Sequence, residues 1–162
     1  MSIYLALLLD YLLGDPKWLP HPVVAVGKLI AFYEKLLYPR QYGQSAFRQG
    51  CLLVLATLAT VAGVLLALLL FLAQWPWLRA AAVVYLLYAA LAWRSLQVEP
   101  GYVISALRSG NLPRARKMLS YVVGRDTENL NRQQIIKATV ETIAENTIDG
   151  VLAPLFYMAL GY

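Results

Sequence analysis

The stretch that decides the fold is Cys51–Ala73, which reads CLLVLATLATVAGVLLALLLFLA. It lies within Gln49–Leu78, a run of thirty residues without a charged side chain. A bilayer core about 30 Å thick needs about 20 apolar residues in helical conformation, and this stretch supplies them. A helix of a soluble protein rarely stays apolar on every face for so long. The stretch therefore predicts a membrane-spanning helix.

The composition of the whole chain agrees with this prediction. Of 162 residues, 60% are hydrophobic and 14% are charged, whereas a soluble domain has about 45–50% apolar and about 25% charged residues. The net charge of +5 could indicate nucleic-acid binding. However, the basic residues flank apolar segments, so we interpret them as a topology signal and expect no nucleic-acid partner. A single cysteine, Cys51, excludes an internal disulfide and a CxxC metal site.

Three segments precede the long apolar stretch. Ile3–Leu13 is apolar except for Asp10 and is short for a membrane span. Gly14–Pro22 contains three prolines, which forbid a regular helix there. Val23–Tyr38 has apolar residues at helical spacing and predicts an amphipathic helix, lying at the membrane interface or packed on the bundle. Pro39–Gly50 is then a basic linker.

A second apolar stretch, Ala80–Trp93, has fourteen residues. It can span a membrane only if the turn before it or Ser95–Val98 after it extends the helix, and Arg79 and Arg94 would then snorkel at its ends. Basic residues are frequent on both sides of this predicted hairpin, whereas its turn holds only Arg79. The positive-inside rule therefore places both flanks in the cytoplasm. If Ile3–Leu13 crosses the membrane, the N-terminus is outside.

The segment after the hairpin is polar and predicts further helices. Gly110 is a helix C-cap, and Asn111 caps a helix that has Pro113 in its first turn and runs to about Val123. Asn131 with a glutamine three residues later predicts a capping box.

The helix that Asn131 starts runs to about Thr147, after which Val151–Leu160 is apolar again and is expected to begin another span. The predicted fold is all-α, a polytopic membrane helical bundle with a cytoplasmic helical region. Its segments are 1–98, containing the N-terminal membrane segments, the proline-rich loop and the hairpin; 99–150, the cytoplasmic region; and 151–162, the start of the next span.

The first cluster of candidate functional residues surrounds the proline-rich loop and contains Asp10, Asp15 and His21. An aspartate within an apolar run is costly at membrane depth, which favours a functional role, but near a helix end it can also reach the interface. His21 lies between two prolines, which restrict the backbone on both sides, as suits a ligand or a proton carrier. The alternative is a loop histidine that makes ordinary hydrogen bonds.

The second cluster is Gly124–Thr127, which reads GRDT at a junction between helices. Arg125 offers a bidentate fork for a phosphate or carboxylate, and a following helix N-terminus adds partial positive charge. Alternatively, Gly124 ends one helix and Asp126 or Thr127 caps the next. A further alternative is an ion pair from Arg125 to Glu141 or Glu145 that joins two helices.

The third cluster contains Glu141, Glu145 and Asp149, with Asn146 beside them. Spacing of four residues places the three carboxylates on one helical face, where their repulsion calls for a cation such as Mg²⁺, an arginine or an amine. The alternative is a solvated face with Lys137 paired to Glu141. Asn146–Gly150 also has the pattern of a helix end capped by its glycine. No phosphate-binding glycine loop of the Walker or dinucleotide type is present in the sequence.

Three segments in this order resemble the CbiB/CobD family of cobalamin biosynthesis, the adenosylcobinamide-phosphate synthases. They are LLLDYLLGDPKWLPHPVVAVGKLI (Leu7–Ile30), LSYVVGRDTENL (Leu119–Leu130) and ATVETIAENTIDGVLAPLFY (Ala138–Tyr157). With the hairpin between them, the resemblance covers essentially the whole chain. Family members are roughly twice as long, so the resemblance concerns their N-terminal half, and the C-terminal half is an expected partner.

The resemblance implies an ATP-dependent amide ligation that joins adenosylcobyric acid to aminopropanol or its O-phosphate, giving cobinamide or cobinamide phosphate. Activating a carboxylate, as in an acyl phosphate, calls for ATP, Mg²⁺ and cationic groups near the phosphates. The attacking amine must also lose a proton to a base. On this reading Asp126, Glu141 and Glu145 are catalytic, Asp15, His21, Arg125 and Asn146 bind substrate or phosphate, and Asp149 with Glu145 binds Mg²⁺.

Two other classes of function remain open at this point. One is a non-enzymatic membrane sensor of the related β-lactamase-induction type, which would share the membrane layout and need none of the carboxylates. The other is a transporter subunit, which Asp10 alone would support. For the ligase we expect a multi-pass protein of the inner membrane, in contact with the lipid bilayer, whose active side is cytoplasmic.

Overall fold

The computed structural model describes residues 2–16, 18–37 and 46–161, and the regular structure within these ranges is helical. The all-α prediction is confirmed for this part of the chain. The helices are α1 (Ser2–Leu13), α2 (Pro22–Leu37), α3 (Ala46–Phe71), α4 (Pro76–Ala89), α5 (Trp93–Arg108), α6 (Leu112–Leu119), α7 (Arg132–Thr147) and α8 (Ala153–Gly161). A 3₁₀ turn, Leu72–Gln74, follows α3, and a π-helical turn, Ile148–Leu152, joins α7 to α8.

Two helical stretches are long and apolar enough to cross a membrane, judged by length and composition. The first is Ala46–Gln74, which contains the predicted span, and its side chains are exposed on every face except around Thr57. The Thr57 hydroxyl donates a hydrogen bond to the Leu53 carbonyl at 2.8 Å, which satisfies its polar group within the helix. An apolar surface of this extent favours contact with lipid or with other apolar helices.

The second stretch, Pro76–Arg108, contains a break that the sequence analysis did not predict. The turn residues extend the apolar stretch at its start, because α4 begins at Pro76, a favourable first helical position. Regular helix stops at Ala89 and resumes at Trp93. Arg94 therefore lies in the first turn of α5. Its guanidinium donates to the Tyr11 carbonyl at 2.7 Å.

The chain forms two compact units, residues 1–16 with 87–162, and residues 17–86. The three segments expected from sequence stay a prediction, and α5 passes through residue 99 without interruption. In the second unit α2 packs along α3, and the hydroxyls of Tyr33 and Thr60 are 2.7 Å apart. The predicted amphipathic helix is thus present, and it packs on a neighbouring helix.

The core of the first unit lies where α5, α6 and α7 meet. Its fully or nearly fully buried side chains are Val103, Ala106, Leu107, Ala115, Leu119, Ile135 and Ala138. Both predicted N-caps are confirmed. The Asn111 side chain accepts from the backbone N–H of Arg114 at 3.0 Å, and Asn131 forms a complete capping box with Gln134. Gly110 has a φ of +73°, as its predicted position after a helix end requires.

Two predicted helix ends are wrong. Helix α6 ends at Leu119 instead of about Val123, because the two following valines pack on the core from a turn. At the other end of α7, Gly150 does not cap a helix, since the π-turn carries the chain on into α8. The Gly150 carbonyl accepts a hydrogen bond from the backbone N–H of Ala92 at 2.9 Å, a tertiary contact that no local pattern could predict.

Candidate functional site

Arg125 lies in the junction between α6 and α7 and forms an ion pair with Glu141 of α7. Its Nη2 donates to Glu141 Oε2 at 3.0 Å, and Lys137 Nζ lies 3.6 Å from Glu141 Oε1. Both ion pairs are among the alternatives considered from sequence. The Arg125 and Glu141 side chains are 56% and 43% exposed, so the pair adds little to the free energy of folding. Because the pair is exposed, an incoming anion can replace Glu141 as the partner of Arg125.

The charge on Glu141 follows from these neighbours. The hydrogen bond from Arg125, assisted by the positive charge of Lys137, lowers the pKa of the Glu141 carboxyl below its ordinary value of 4.5. At neutral pH Glu141 is therefore ionised. A carboxylate with a lowered pKa is a good partner for a cation and a weak proton acceptor.

An open cleft of about 320 Å³ lies beside this ion pair, and we call it the acidic cleft. Arg125, Glu141, Glu145 and Asn146 line it, together with Gly124. The structure thus brings together four of the residues that sequence analysis selected. They belong to two separate elements, the α6–α7 junction and the last turns of α7, so their proximity depends on the packing of α6 against α7.

Arg125 also lines a second cleft, of about 420 Å³, which we call the basic cleft. Arg116, Lys117 and Arg125 contribute three positive charges to it, and Asp126 and Glu128 contribute two carboxylates. Sequence analysis missed Arg116 and Lys117, because no local motif connects the end of α6 with the GRDT segment. The three cations outnumber the two carboxylates, and the net positive charge suits a phosphate group.

The junction that carries Arg125 is held by backbone contacts. Arg116 Nε donates to the Leu130 carbonyl at 2.8 Å, and Thr127 Oγ1 donates to the Arg116 carbonyl at 3.0 Å. Asp126 Oδ1 accepts from the backbone N–H of Glu128 at 2.9 Å, which is a local turn contact. In the described part of the chain, Glu141 and not Asp126 is therefore the partner of the Arg125 guanidinium.

Asp149 does not line the acidic cleft with Glu141 and Glu145. It belongs to the π-turn and lines a third cleft, with Leu87 of α4 and Tyr157 of α8. The described residues contain no group of three His, Cys, Asp or Glu side chains arranged to hold a metal ion. Glu145 and Asn146 still offer oxygen atoms in the acidic cleft. Such a donor set suits Mg²⁺, which is commonly held by one or two carboxylates, water and substrate phosphates.

Asp15 and His21 fall in different compact units. The Asp15 carboxylate accepts from the Ser95 hydroxyl at 2.5 Å, near the start of α5. His21 Nδ1 accepts from the backbone N–H of Val23 at 3.3 Å, at the start of α2. His21 therefore makes at least one ordinary hydrogen bond, as the alternative interpretation expected.

Asp10 is fully buried within the protein. Its Oδ2 accepts from the backbone N–H of Arg94 at 3.3 Å, so it caps α5 from a neighbouring helix. The segment after Asp10 is fixed against the same region, because Tyr88 donates its hydroxyl hydrogen to the Gly14 carbonyl. Gly14 has a φ of +61°, and a Cβ there would lie 2.9 Å from the Arg94 side chain, so glycine is required.

Similar known proteins identify the family of this chain. The model of a family described as "CobD/Cbib protein" matches residues 3–162. Proteins named "Cobalamin biosynthesis protein CobD" are similar to it: that of Pelobacter propionicus is 47% identical over 97% of this chain and 48% of its own length. The Clostridium tetani protein is 40% identical over 99% of this chain and 51% of its own length. The Halalkalibacterium halodurans protein is 43% identical over 99% of this chain and 50% of its own length.

The chain spans about half the length of the curated relatives it matches. No solved structure matches it. The family match extends over the α6–α7 junction, α7 and the π-turn, and so includes all three clefts described above. From the extent of the match and the identities, this chain belongs to the CobD/CbiB family.

Proposed function

We propose that this chain contributes to cobalamin biosynthesis, as part of a protein that catalyses an ATP-dependent amide ligation. The reaction would join a carboxylate of adenosylcobyric acid to the amine of aminopropanol or its O-phosphate, giving cobinamide or cobinamide phosphate. The names of the relatives support the pathway. The observation that carries the reaction type is the position of Arg125, which lines a basic and an acidic cleft at once.

The basic cleft supplies what a phosphate transfer to a carboxylate requires. The cations of Arg116, Lys117 and Arg125 would bind the ATP phosphates and offset the negative charge that develops during transfer. An incoming phosphate can compete with Glu141 for Arg125 because their ion pair is exposed. Mg²⁺ would add further charge neutralisation, and Glu145 and Asn146 are the residues proposed to hold it.

The acidic cleft supplies the group that a condensation with an amine requires. An amine is protonated at neutral pH and must lose a proton before it attacks the activated carboxyl carbon. Glu145 lines the cleft and forms no ion pair with another described residue, so we assign it the role of proton acceptor or Mg²⁺ ligand. Glu141, with its lowered pKa, would hold Arg125 in place until phosphate binds. Asp126 would support the junction through its turn.

The decisive experiment uses a protein that has the full length of the relatives, purified in lipid nanodiscs. ATP hydrolysis should require both the corrinoid carboxylic acid and the amino alcohol, and the amide product should form in proportion. The replacement Glu145→Gln should lower the rate, whereas Glu34→Gln, a matched change in α2, should not. A folded protein that consumes no ATP with both substrates present would refute the ligase and favour a membrane sensor.

We also propose that the protein lies in the inner membrane, with its active side in the cytoplasm. The two apolar stretches and the basic residues that flank them support this proposal. In a Cys51→Ser background, cysteines placed at Trp18 and at Glu128 should react with an impermeant maleimide only after the cytoplasmic face is exposed. A cysteine at Gln74 should react from the opposite face. Labelling of Trp18 and Glu128 from opposite sides would contradict the proposal.

A further inference from the structure

Asp149 lies in the π-turn Ile148–Leu152, which follows α7. In a continuous α-helix Glu145 and Asp149, four residues apart, would lie one above the other on the same face. A π-turn holds more residues per turn and changes the direction of the side chains that follow. Here Glu145 lines the acidic cleft, whereas Asp149 lines the third cleft. Turns of this type are frequent at functional sites.

The third cleft has a volume of about 590 Å³ and mostly apolar walls. Among the described residues that line it, Asp149 alone carries a charge. Its carboxylate makes no hydrogen bond or ion pair within residues 2–16, 18–37 and 46–161. The apolar lining comes from the end of α4 and from α8: Leu87, Ala90, Ala153, Pro154, Tyr157 and Met158.

The wall that carries Asp149 is fixed in place by the contact between the π-turn and the break after α4. The backbone N–H of Ala92 donates to the Gly150 carbonyl at 2.9 Å. A Cβ at Gly150 would lie 3.1 Å from the Ala92 Cβ, so the two backbones approach closely because residue 150 is glycine. The break between α4 and α5 is therefore hydrogen-bonded to the π-turn, and the Asp149 carboxylate lies next to this contact at an apolar cleft.

A single carboxylate in apolar surroundings selects an organic cation. An ammonium group would form a charge-assisted hydrogen bond with Asp149, and its carbon chain would lie against the leucine, proline and methionine side chains. The Tyr157 ring adds a surface that attracts cations. A divalent metal ion fits poorly, because it needs several oxygen ligands and Asp149 supplies the cleft with one carboxylate.

We propose that this cleft binds a primary ammonium group carried on a short apolar body. If the proposed ligase function holds, this ligand is the amine substrate, and in that respect the inference rests on the proposed function. Binding of the ammonium group itself depends only on Asp149 and the apolar walls, so it can be tested without ATP or corrinoid.

The test measures binding of 1-amino-2-propanol to the chain in lipid nanodiscs at pH 7 by saturation-transfer NMR, with 2-propanol as the uncharged probe. We expect Asp149→Asn to weaken binding of the amine at least tenfold. Ala153→Leu, which keeps the carboxylate and fills the cleft, should have a similar effect. The matched charge change Glu34→Gln should leave binding unaltered, and 2-propanol should bind far more weakly than the amine.

Three results would overturn the proposal: undiminished amine binding in both cleft variants, equal binding of 2-propanol, or displacement of the amine by submillimolar Mg²⁺. These results are distinguishable from failure of the ligase proposal. Amine binding that depends on Asp149 in a protein without ligase activity would refute only the proposed reaction. Ligation by a full-length protein whose Asp149→Asn variant binds the amine normally would refute only this site.

Discussion

Replacing Arg125 with lysine is expected to lower the ligation rate about 100-fold, a loss typical for removal of one well-placed donor to a developing negative charge. Lysine keeps the positive charge but cannot grip two phosphate oxygens with parallel hydrogen bonds. The thermal stability should hardly change, because the Arg125–Glu141 pair is exposed and contributes little to folding. Steady-state kinetics with varied ATP, together with a thermal melt, measures both quantities.

The matched control is Lys137→Gln. Lys137 contacts the same Glu141 carboxylate from one turn away on α7, but it lines neither the basic nor the acidic cleft. Its replacement should preserve the rate. If Arg125→Lys instead lowered the melting temperature while activity per folded molecule stayed normal, Arg125 would have a structural role, and its assignment to phosphate binding would be wrong.

Replacing Leu119 with alanine is expected to cost about 2–5 kcal/mol of folding free energy, the usual range for a large-to-small change in a core. Leu119 is fully buried between α5, α6 and α7 and is the last residue of α6, just before the junction that carries Arg125. Truncation would leave a cavity at the point that holds α6 and α7 together. Both clefts beside Arg125 depend on that contact, so ligand binding should weaken as well.

A melting curve of the protein in nanodiscs measures the stability change, with Leu112→Ala as the control. Leu112 packs against the same core but is only partly buried, so its truncation should cost clearly less than that of Leu119. Equal and small losses for both variants would show that the α5–α7 packing described here is not what stabilises the first unit.

The local features of this protein were predictable from its sequence. The long apolar helix, the two asparagine caps, the capping box and the glycine at residue 110 were all predicted and are all present. Each depends on residues within a few positions of one another, where composition and hydrogen-bonding geometry decide the conformation. The family resemblance was predicted in the same way, from short segments in order, and is confirmed over residues 3–162.

The candidate site was predictable in part. Arg125, Glu141, Glu145 and Asn146 were selected from sequence, and the structure places them around one cleft. Whether Arg125 pairs with Glu141 remained one of several alternatives, because a sequence does not state how two helices cross. Arg116 and Lys117 were missed for the same reason, since they approach Arg125 only through the fold of the junction.

Sequence alone determined that this chain is helical, where its long apolar segment lies and which residues start its polar helices. Only the tertiary structure decided that α4 and α5 are separated by a break, that Asp10 is buried as a cap on α5, and that Asp149 of the π-turn lines a cleft different from that of Glu141 and Glu145. The physical reason is that these last features depend on hydrogen bonds between distant backbone segments, such as Ala92 with Gly150. A sequence pattern that spans four residues contains no information about a hydrogen-bond partner almost sixty residues away.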